Sequence, residues 1–395
     1  MTSPPPVPSP QTAADACPGI LDLHEARDGH VARIRLPGGY ADPTRLRVLG
    51  ALAIRFGSGY VDLTARGNVQ LRGVQAAEAG ALARRAALAG LLPSPAHDRA
   101  RNITASPLAG LAGHPDLRRL VRALDHALLA DPGLAVLPGR FLFCLDDGTG
   151  RAGLSSCDVG VRRGTRRAYL IVAGRLTGVR GPVEQMVRYA ITAARAFARQ
   201  REAAPGLARM TGLPDGGAGI AEALGGTLGD RVADTLTRLP LGPVPTRLPL
   251  GPVPDPAPVV VAGAPLGRLT AAQLRLLGLM VRPGEAARLT AAGRVVLPLA
   301  EPADLALGRL AEAGLLVSGD HVLAAVTACS GMSCASSLAD VRALAAPVAG
   351  LAAVHWAGCG RQCGRPTDAT AVIATSADEF TFADGSVMTA PAGAR

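Results

Sequence analysis

At 395 residues the chain has room for roughly two or three domains with ample cores. Its net charge of +10 comes from 41 basic residues, every one an arginine, and no block of Arg interleaved with aromatics is present, which argues against a nucleic-acid partner. Apolar residues make up 48% but aromatics only 3%, so the cores must be built from Ala, Val and Leu. An excess of Arg suits a carboxylate-rich small molecule, because the guanidinium offers two parallel hydrogen bonds to a carboxylate. No run of apolar residues is long enough to predict a membrane span, and the Pro/Ser-rich start Met1–Ala14 lacks the apolar segment of a signal peptide. Seven cysteines, four of them clustered, do not form the evenly spaced framework of a secreted disulfide protein. The expectation is a cytoplasmic protein.

In chain order, residues 1–16 are expected to be disordered. Cys17-Pro18-Gly19 opens the folded part. Val31–Leu36 alternates apolar residues with Arg, as a half-buried strand does. Asp42 as N-cap and Pro43 in the first turn predict a helix over Pro43–Phe56. Tyr60–Thr64 and Asn68–Val74 read as strands, with Gly73 marking an end. The stretch from Leu63 to Val74 places Arg66, Asn68, Gln70 and Arg72 at alternate positions, so a strand would present them on one face. A solvent-exposed sheet face is the competing explanation. Gln75–Gly90 predicts an Ala-rich helix, followed by a polar loop with two anion contacts, Arg101 and Asn102. A helix over Leu117–Leu129 follows. Leu137–Phe143, carrying Arg140, leads into a strand that ends at Asp146-Asp147-Gly148, with Ala168–Val172 as its antiparallel partner. Pro182–Arg201 reads as a long amphipathic helix.

Thr237–Pro254 is a nine-residue sequence written twice, and its six prolines predict an extended linker. A second repeat spans most of the chain. Leu274-Arg-Leu-Leu-Gly278 echoes Leu46-Arg-Val-Leu-Gly50, and Leu289–Leu297 echoes Leu63–Leu71, at offsets of 228 and 226 residues. Two copies of a helix–strand–strand unit imply duplication and a pseudo-two-fold fold. The second copy has Ala292 in place of Arg66 and Val296 in place of Gln70. The apolar scaffold is repeated while the polar face is not, which points to a function for Arg66 and Gln70.

Cys329 and Cys334, then Cys359 and Cys363, each follow a short apolar run that reads as a strand, Val322–Thr327 and Leu351–Trp356. A helix over Leu338–Val348, capped by Ser336 or Ser337, would join two strands running the same way and bring both thiol pairs to one end. Four thiolates meeting in a Gly-rich environment suit a [4Fe–4S] cluster. A zinc site with four cysteine ligands and unlinked buried thiols are the alternatives; zinc pairs favour tighter knuckles. His355 is placed to support the cluster from behind or simply to fill a strand position.

Together these motifs resemble the nitrite/sulfite reductase family. Thr64–Gly73 looks like that family's tetrapyrrole-contacting strand, Arg101–Thr104 is similar to its second anion-contacting loop, and the two cysteine pairs look like its cluster ligands. The resemblance implies an α+β fold. Duplicated ferredoxin-like half-domains with pseudo-two-fold symmetry are joined by two nitrite/sulfite reductase-type α+β domains. The expected division is a first half-domain over 17–76, a reductase-like domain over 77–236, a linker over 237–257, a second half-domain over 258–306 and a cluster domain over 307–395. The resemblance further implies Arg66 and Arg101 as catalytic, and Arg66, Asn68, Gln70, Arg72, Arg101, Asn102 and Arg140 as substrate-binding. Cys329, Cys334, Cys359 and Cys363 become the ligands of a 4Fe-4S cluster, with a second iron centre or a sirohaem left open. The branch it resembles most hydroxylates the tetrapyrrole precorrin-3A with O2 and forms a lactone, in aerobic cobalamin biosynthesis. The alternative is a sirohaem-dependent nitrite or sulfite reductase. A cluster-only electron carrier would have no use for an anion-lined cavity. No dinucleotide-binding Gly motif follows a strand, so electrons from a reduced pyridine nucleotide call for a partner reductase. Two departures from the family pattern stand out. Four residues separate Cys329 from Cys334 where the family has five, and Leu142 stands where its oxyanion-reducing members place a lysine.

Overall fold

A computed structural model describes residues 17–232, 247–382 and 384–389. The chain divides into two compact units, one made of residues up to Gly19, Ser94–Ser106 and Leu117–Val244, the other of Ile20–Pro93, Pro107–Asp116 and Pro245–Arg395. The segment 1–16 and the first copy of the proline-rich sequence lie outside the described residues.

The larger unit opens with β1 (His24–Ala26), β2 (Gly29–Ile34), β3 (Tyr40–Ala41), α1 (Pro43–Phe56), β4 (Tyr60–Leu63), β5 (Val69–Val74) and α2 (Ala79–Leu88). Helix α1 starts as the sequence predicts: Pro43 takes the first helical position and the Asp42 carboxylate accepts the Arg45 N–H at 2.8 Å. The Ala-rich helix begins later than expected. Gln75 is extended, and a single 3₁₀ turn, Ala76–Glu78, precedes α2.

The other unit contributes β6 (Ile103–Ala105), α3 (Arg118–Leu129), β7 (Phe143–Asp146), β8 (Val159–Arg163), β9 (Ala168–Val172), β10 (Arg175–Gly181), α4 (Val183–Ala203) and α5 (Ala218–Ala223). Its sheet runs β10-β9-β8-β7-β6. Strands β6, β7 and β8 are parallel and β9 and β10 antiparallel. The expected pairing of Ala168–Val172 with the strand ending at Asp146 is therefore corrected: β8 lies between them. Gly160 masks β8 in the sequence, yet the strand needs it, because a Cβ there would meet Cys157 Sγ at 2.8 Å.

The chain then returns to the larger unit with β11 (Gly251–Pro252), β12 (Val259–Gly263), β13 (Arg268–Thr270), α6 (Ala271–Met280), β14 (Ala287–Leu289), β15 (Arg294–Pro298) and α7 (Ala303–Glu312). The second copy of the proline-rich sequence is no free linker. Gly251 and Pro252 pair with Val261 and Val260 as an edge strand, and Leu248 is buried. An edge strand is where proline is tolerated, since its missing N–H faces away from the ladder.

The two half-domains exchange strands. The first sheet runs β1-β2-β5-β4-β13 and the second β11-β12-β15-β14-β3, so each ends on the strand that leads into the other's helix. Helices α1 and α6 lie against each other, and the repeated Leu-Arg-x-Leu-Gly motif explains how. A Cβ on Gly50 would come within 3.1 Å of the Ala271 carbonyl, and one on Gly278 within 3.2 Å of the Pro43 carbonyl. The duplicated glycines let the backbones approach symmetrically. Leu46, Leu49, Leu274 and Leu277 fill one continuous core with the inward faces of both sheets. Truncating any of these leucines to Ala should cost roughly 2–5 kcal/mol.

The last sheet holds β16 (Val326–Ala328), α8 (Val341–Leu344), β17 (Val354–Ala357), β18 (Thr370–Ala374), β19 (Glu379–Thr381) and β20 (Val387–Thr389). Strands β16, β17 and β18 run parallel, so the two strands ahead of the cysteine pairs run the same way, as expected. The helix expected over Leu338–Val348 is corrected to the four residues of α8, capped by Asp340 rather than by Ser336 or Ser337. Pro347 is the cause: it has no N–H to donate and biases Ala346 away from helical angles. Ser337 instead donates to the Ala339 carbonyl at 2.9 Å. Among the described residues no helix is long and apolar enough to cross a membrane.

Candidate functional site

Strands β16 and β17 end together, and the cysteine loops leave from that end. The ladder continues into the first loop, where the Cys329 N–H donates to the Trp356 carbonyl at 2.9 Å. The Cys329 sulfur accepts the N–H groups of Gly358 at 3.2 Å and Gly331 at 3.4 Å. Gly358 admits no side chain, since a Cβ would lie 1.9 Å from Ser337 Oγ. The Leu338 N–H closes the contact on the Gly358 carbonyl at 2.8 Å. Desolvation, then the charges of Cys359, Cys329 and Cys334, push the Cys363 thiol up, with Arg361 opposing. The Cys363 sulfur thus lies within electrostatic reach of the other three. Such a set loses its protons when positive charge joins it.

The donor set fits an iron–sulfur cluster: four soft sulfurs from two loops, with backbone N–H groups aimed at one of them. Among the described residues no three His, Cys, Asp or Glu side chains close on a point that could hold a metal ion. A cubane spreads its four thiolates over four irons, whereas zinc draws them to about 2.3 Å from one centre. Behind the second loop, His355 is wholly buried, with Nδ1 3.0 Å from the Thr327 hydroxyl. Desolvation first, then Arg365 and Arg247, hold it down at about 4, against the Cys363 backbone, so the ring is neutral.

The first half-domain turns a polar face outward. In register across the sheet lie Arg33, Gln70, Asp62 and Arg268. The adjacent row, Ala32, Leu71, Val61 and Leu269, points into the core. Arg268 comes from the other half-domain on the exchanged strand and grips Asp62 through Nε at 2.6 Å and Nη2 at 3.3 Å. Burial works against the Arg268 charge, but the Asp62 hydrogen bond and charge, with Asp28 and Tyr60, outweigh it and hold its pKa up. Arg342 joins this group to the first cysteine loop by donating to the Cys329 carbonyl at 3.2 Å. Burial and then Arg268 push it down, while Asp62, Cys329 and Asp340 oppose them.

The same row in the second half-domain is Val261, Val296, Arg288 and Tyr40. Arg288 is 1% exposed and stacked over the Tyr40 ring. Val261 and Val296 are sealed under Leu108, Leu111 and Leu248. One copy thus presents an arginine-bearing face, while in the other the two valines are covered by leucines and Arg288 is buried against Tyr40.

The expected contact residues divide. Arg66 is half-buried in the turn before β5, its N–H on the Thr64 hydroxyl at 3.4 Å, and Gln70 is half-buried in the polar row. Asn68 is buried and its Oδ1 accepts the Leu36 N–H at 2.9 Å, holding β2 to the turn. Arg72 does not share the Gln70 role. It forks onto Asp28 with two 3.1 Å contacts and donates to Ser330 Oγ at 3.2 Å and to the Ser333 carbonyl at 2.6 Å. In the other unit Arg101 is 4% exposed and forks onto Asp125 with two 2.8 Å contacts. Asn102 is fully buried and donates to the carbonyls of Phe141 at 3.1 Å and Gly139 at 3.4 Å. Arg72, Arg101 and Asn102 thus spend these hydrogen bonds on partners within the chain. Arg140 is half-buried in the loop before β7, and Leu142 is 4% exposed in an apolar cluster with Cys144 and Leu154.

Sequence reasoning missed Arg33, Asp62, Arg268 and Arg342. The alternation of Val31–Leu36 held the signal for Arg33, since register places it opposite Gln70. Nothing local signals Arg268 or Arg342, which arrive from elsewhere in the chain.

Residues 24–89 match the Nitrite/Sulfite reductase ferredoxin-like half domain. The ferredoxin–nitrite reductase of Leptolyngbya laminosa is 32% identical over 131 residues, 31% of this chain and 26% of that protein. The precorrin-3B synthase of a Sinorhizobium species is 38% identical over 68 residues, 17% of this chain and 15% of that protein. These matches span about a quarter or less of the relatives' own lengths. The structure of the Mycobacterium tuberculosis NirA protein superposes with a TM-score of 0.67 at 21% identity, over 92% of this chain and 77% of that one, and shares the fold. Residues 24–89 thus carry a nitrite/sulfite reductase ferredoxin-like half domain, and a strand-exchanged second copy of that unit follows it in the same chain.

Proposed function

We propose that this chain is an oxidoreductase that binds a carboxylate-rich tetrapyrrole on the outer face of its first half-domain. The reaction proposed is that of precorrin-3B synthase: hydroxylation of precorrin-3A with O2 and lactone formation, in aerobic cobalamin biosynthesis. One oxygen atom enters the substrate and the other leaves as water, with two electrons and two protons supplied through a partner reductase. The observation that carries this reading is the asymmetry of the duplicated faces. Arg33, Gln70 and Arg268 line one sheet beside the cysteine loops, while Val261 and Val296 seal its twin.

In this reading Arg66, Arg33 and Gln70 bind and orient substrate carboxylates, each charged contact contributing about 1.5–3 kcal/mol. Arg268, paired with Asp62, and Arg342, bound to the Cys329 carbonyl, place two guanidinium groups between this face and the first cysteine loop. A [4Fe–4S] cluster on Cys329, Cys334, Cys359 and Cys363 would supply single electrons. The resemblance puts Leu142 where oxyanion-reducing members have a lysine, and this supports the present reading over oxyanion reduction. The second reading, a sirohaem-dependent nitrite or sulfite reductase, is favoured by the longer matches to ferredoxin–nitrite reductases.

Anaerobically purified protein separates the two. Iron and acid-labile sulfide without zinc, together with an oxygen-dependent mass gain on precorrin-3A, are expected. Arg66→Ala should weaken tetrapyrrole binding about ten- to hundredfold at unchanged iron content. Tightly bound sirohaem with viologen-driven nitrite or sulfite reduction would replace this reading with the second.

A further inference from the structure

We propose that Arg72 is a clasp that closes the short first cysteine loop, and so is a positioning residue for its ligands rather than a substrate anchor. The inference rests on the four-cysteine reading above. Ser330 directly follows Cys329 and Ser333 directly precedes Cys334, and Arg72 reaches both, at 3.2 Å through Nη1 and 2.6 Å through Nη2. Its side chain is 7% exposed, and the Asp28 carboxylate fixes the guanidinium plane from behind. The Ser333 carbonyl also accepts the Arg27 N–H at 3.2 Å. Both shoulders of the loop are thus tied to the β1–β2 turn and to β5. A loop one residue shorter than its family's has less freedom to hold two sulfurs apart, and the clasp compensates by removing the rest. The duplicated half-domain supplies an internal control. At the matching offset of 226 residues from Arg72 stands Pro298, which has no side-chain donor.

A lysine cannot reach Asp28, Ser330 and Ser333 together, because it lacks the planar fork. Metal-free, reduced chains of wild type, Arg72→Lys and Asp28→Asn are labelled with iodoacetamide and each cysteine is followed by mass spectrometry. Trp356 fluorescence verifies that the cluster sheet is folded. Labelling of Cys329 and Cys334 should accelerate about ten- to hundredfold in Arg72→Lys and less in Asp28→Asn, with Cys359 and Cys363 unchanged within about twofold. After anaerobic reconstitution, Arg72→Lys should hold less iron and sulfide than wild type. Unchanged labelling at Cys329 and Cys334 in folded variants overturns the clasp. The expected labelling pattern in a wild-type chain that takes up no iron supports the clasp and overturns the cluster.

Discussion

Gly358→Ala tests how the two cysteine loops are held together. The new Cβ would lie 1.9 Å from Ser337 Oγ, 2.9 Å from its Cβ and 3.3 Å from its Cα. Rotating the Ser337 hydroxyl away relieves only the first contact and breaks its 2.9 Å hydrogen bond to the Ala339 carbonyl. The loop backbones must therefore separate. Overpacking of this kind costs about 1–3 kcal/mol and the lost hydrogen bond about 1 more, giving a destabilisation of about 2–4 kcal/mol. With a urea dependence of about 1–3 kcal/mol per molar, the midpoint should fall by about 0.7–4 M. The chain has one tryptophan, Trp356, which stacks edge-on against Phe380 at 5.2 Å in this same sheet, so its fluorescence reports this sheet directly. Ser337→Gly added to Gly358→Ala removes both offending atoms and should recover more than half of the loss. A Gly358→Ala chain as stable as wild type, or a double variant no better than the sum of its parts, would refute the packing argument.

Asp62→Asn removes a carboxylate that holds Arg268 and sits near Arg342, so stability should drop about 1–3 kcal/mol while a polycarboxylate porphyrin binds severalfold tighter. Calorimetric titration and urea denaturation read the two effects, and unaltered affinity would remove Asp62 from the face. Burial raises the Asp158 carboxyl above 3.8 even though Arg209 and two backbone N–H groups stabilise its charge. An acid held high in the fold contributes stability below its unfolded pKa and loses it as pH rises through the folded value. Urea midpoints of wild type minus Asp158→Asn should therefore decline with pH from about 4 upward, and parallel curves would contradict this. Stripping iron with a chelator should lower the Trp356 midpoint alone, since metal binds only the closed loops; coincident curves with and without iron would place it elsewhere.

Local signals were legible where one short stretch decides its own conformation. Asp42-Pro43 set the start of α1 to the residue. The two Leu-Arg-x-Leu-Gly motifs announced a duplication whose glycines turn out to sit where two helices cross. The parallel strands ahead of each cysteine pair followed from their apolar runs. The exchange of Ala292 and Val296 for Arg66 and Gln70 marked the two faces as different in polarity. The inserted β8 and the shortness of the helix after Cys334 were not legible, because a glycine weakened one pattern and a proline ended the other.

What the sequence by itself determined was composition-level chemistry and repeats: an arginine-rich chain, a doubled half-domain, and two thiol pairs after parallel strands. Which arginines face outward was decided by the tertiary structure. Alternation on a strand says only that residues share a side; the partner that meets each side chain comes from far along the chain. Asp125 captures Arg101, Asp28 and the cysteine loop capture Arg72, and the exchanged strand delivers Arg268 to a sheet it does not follow in sequence. A guanidinium's role depends on the nearest carboxylate, and only folding brings that carboxylate near.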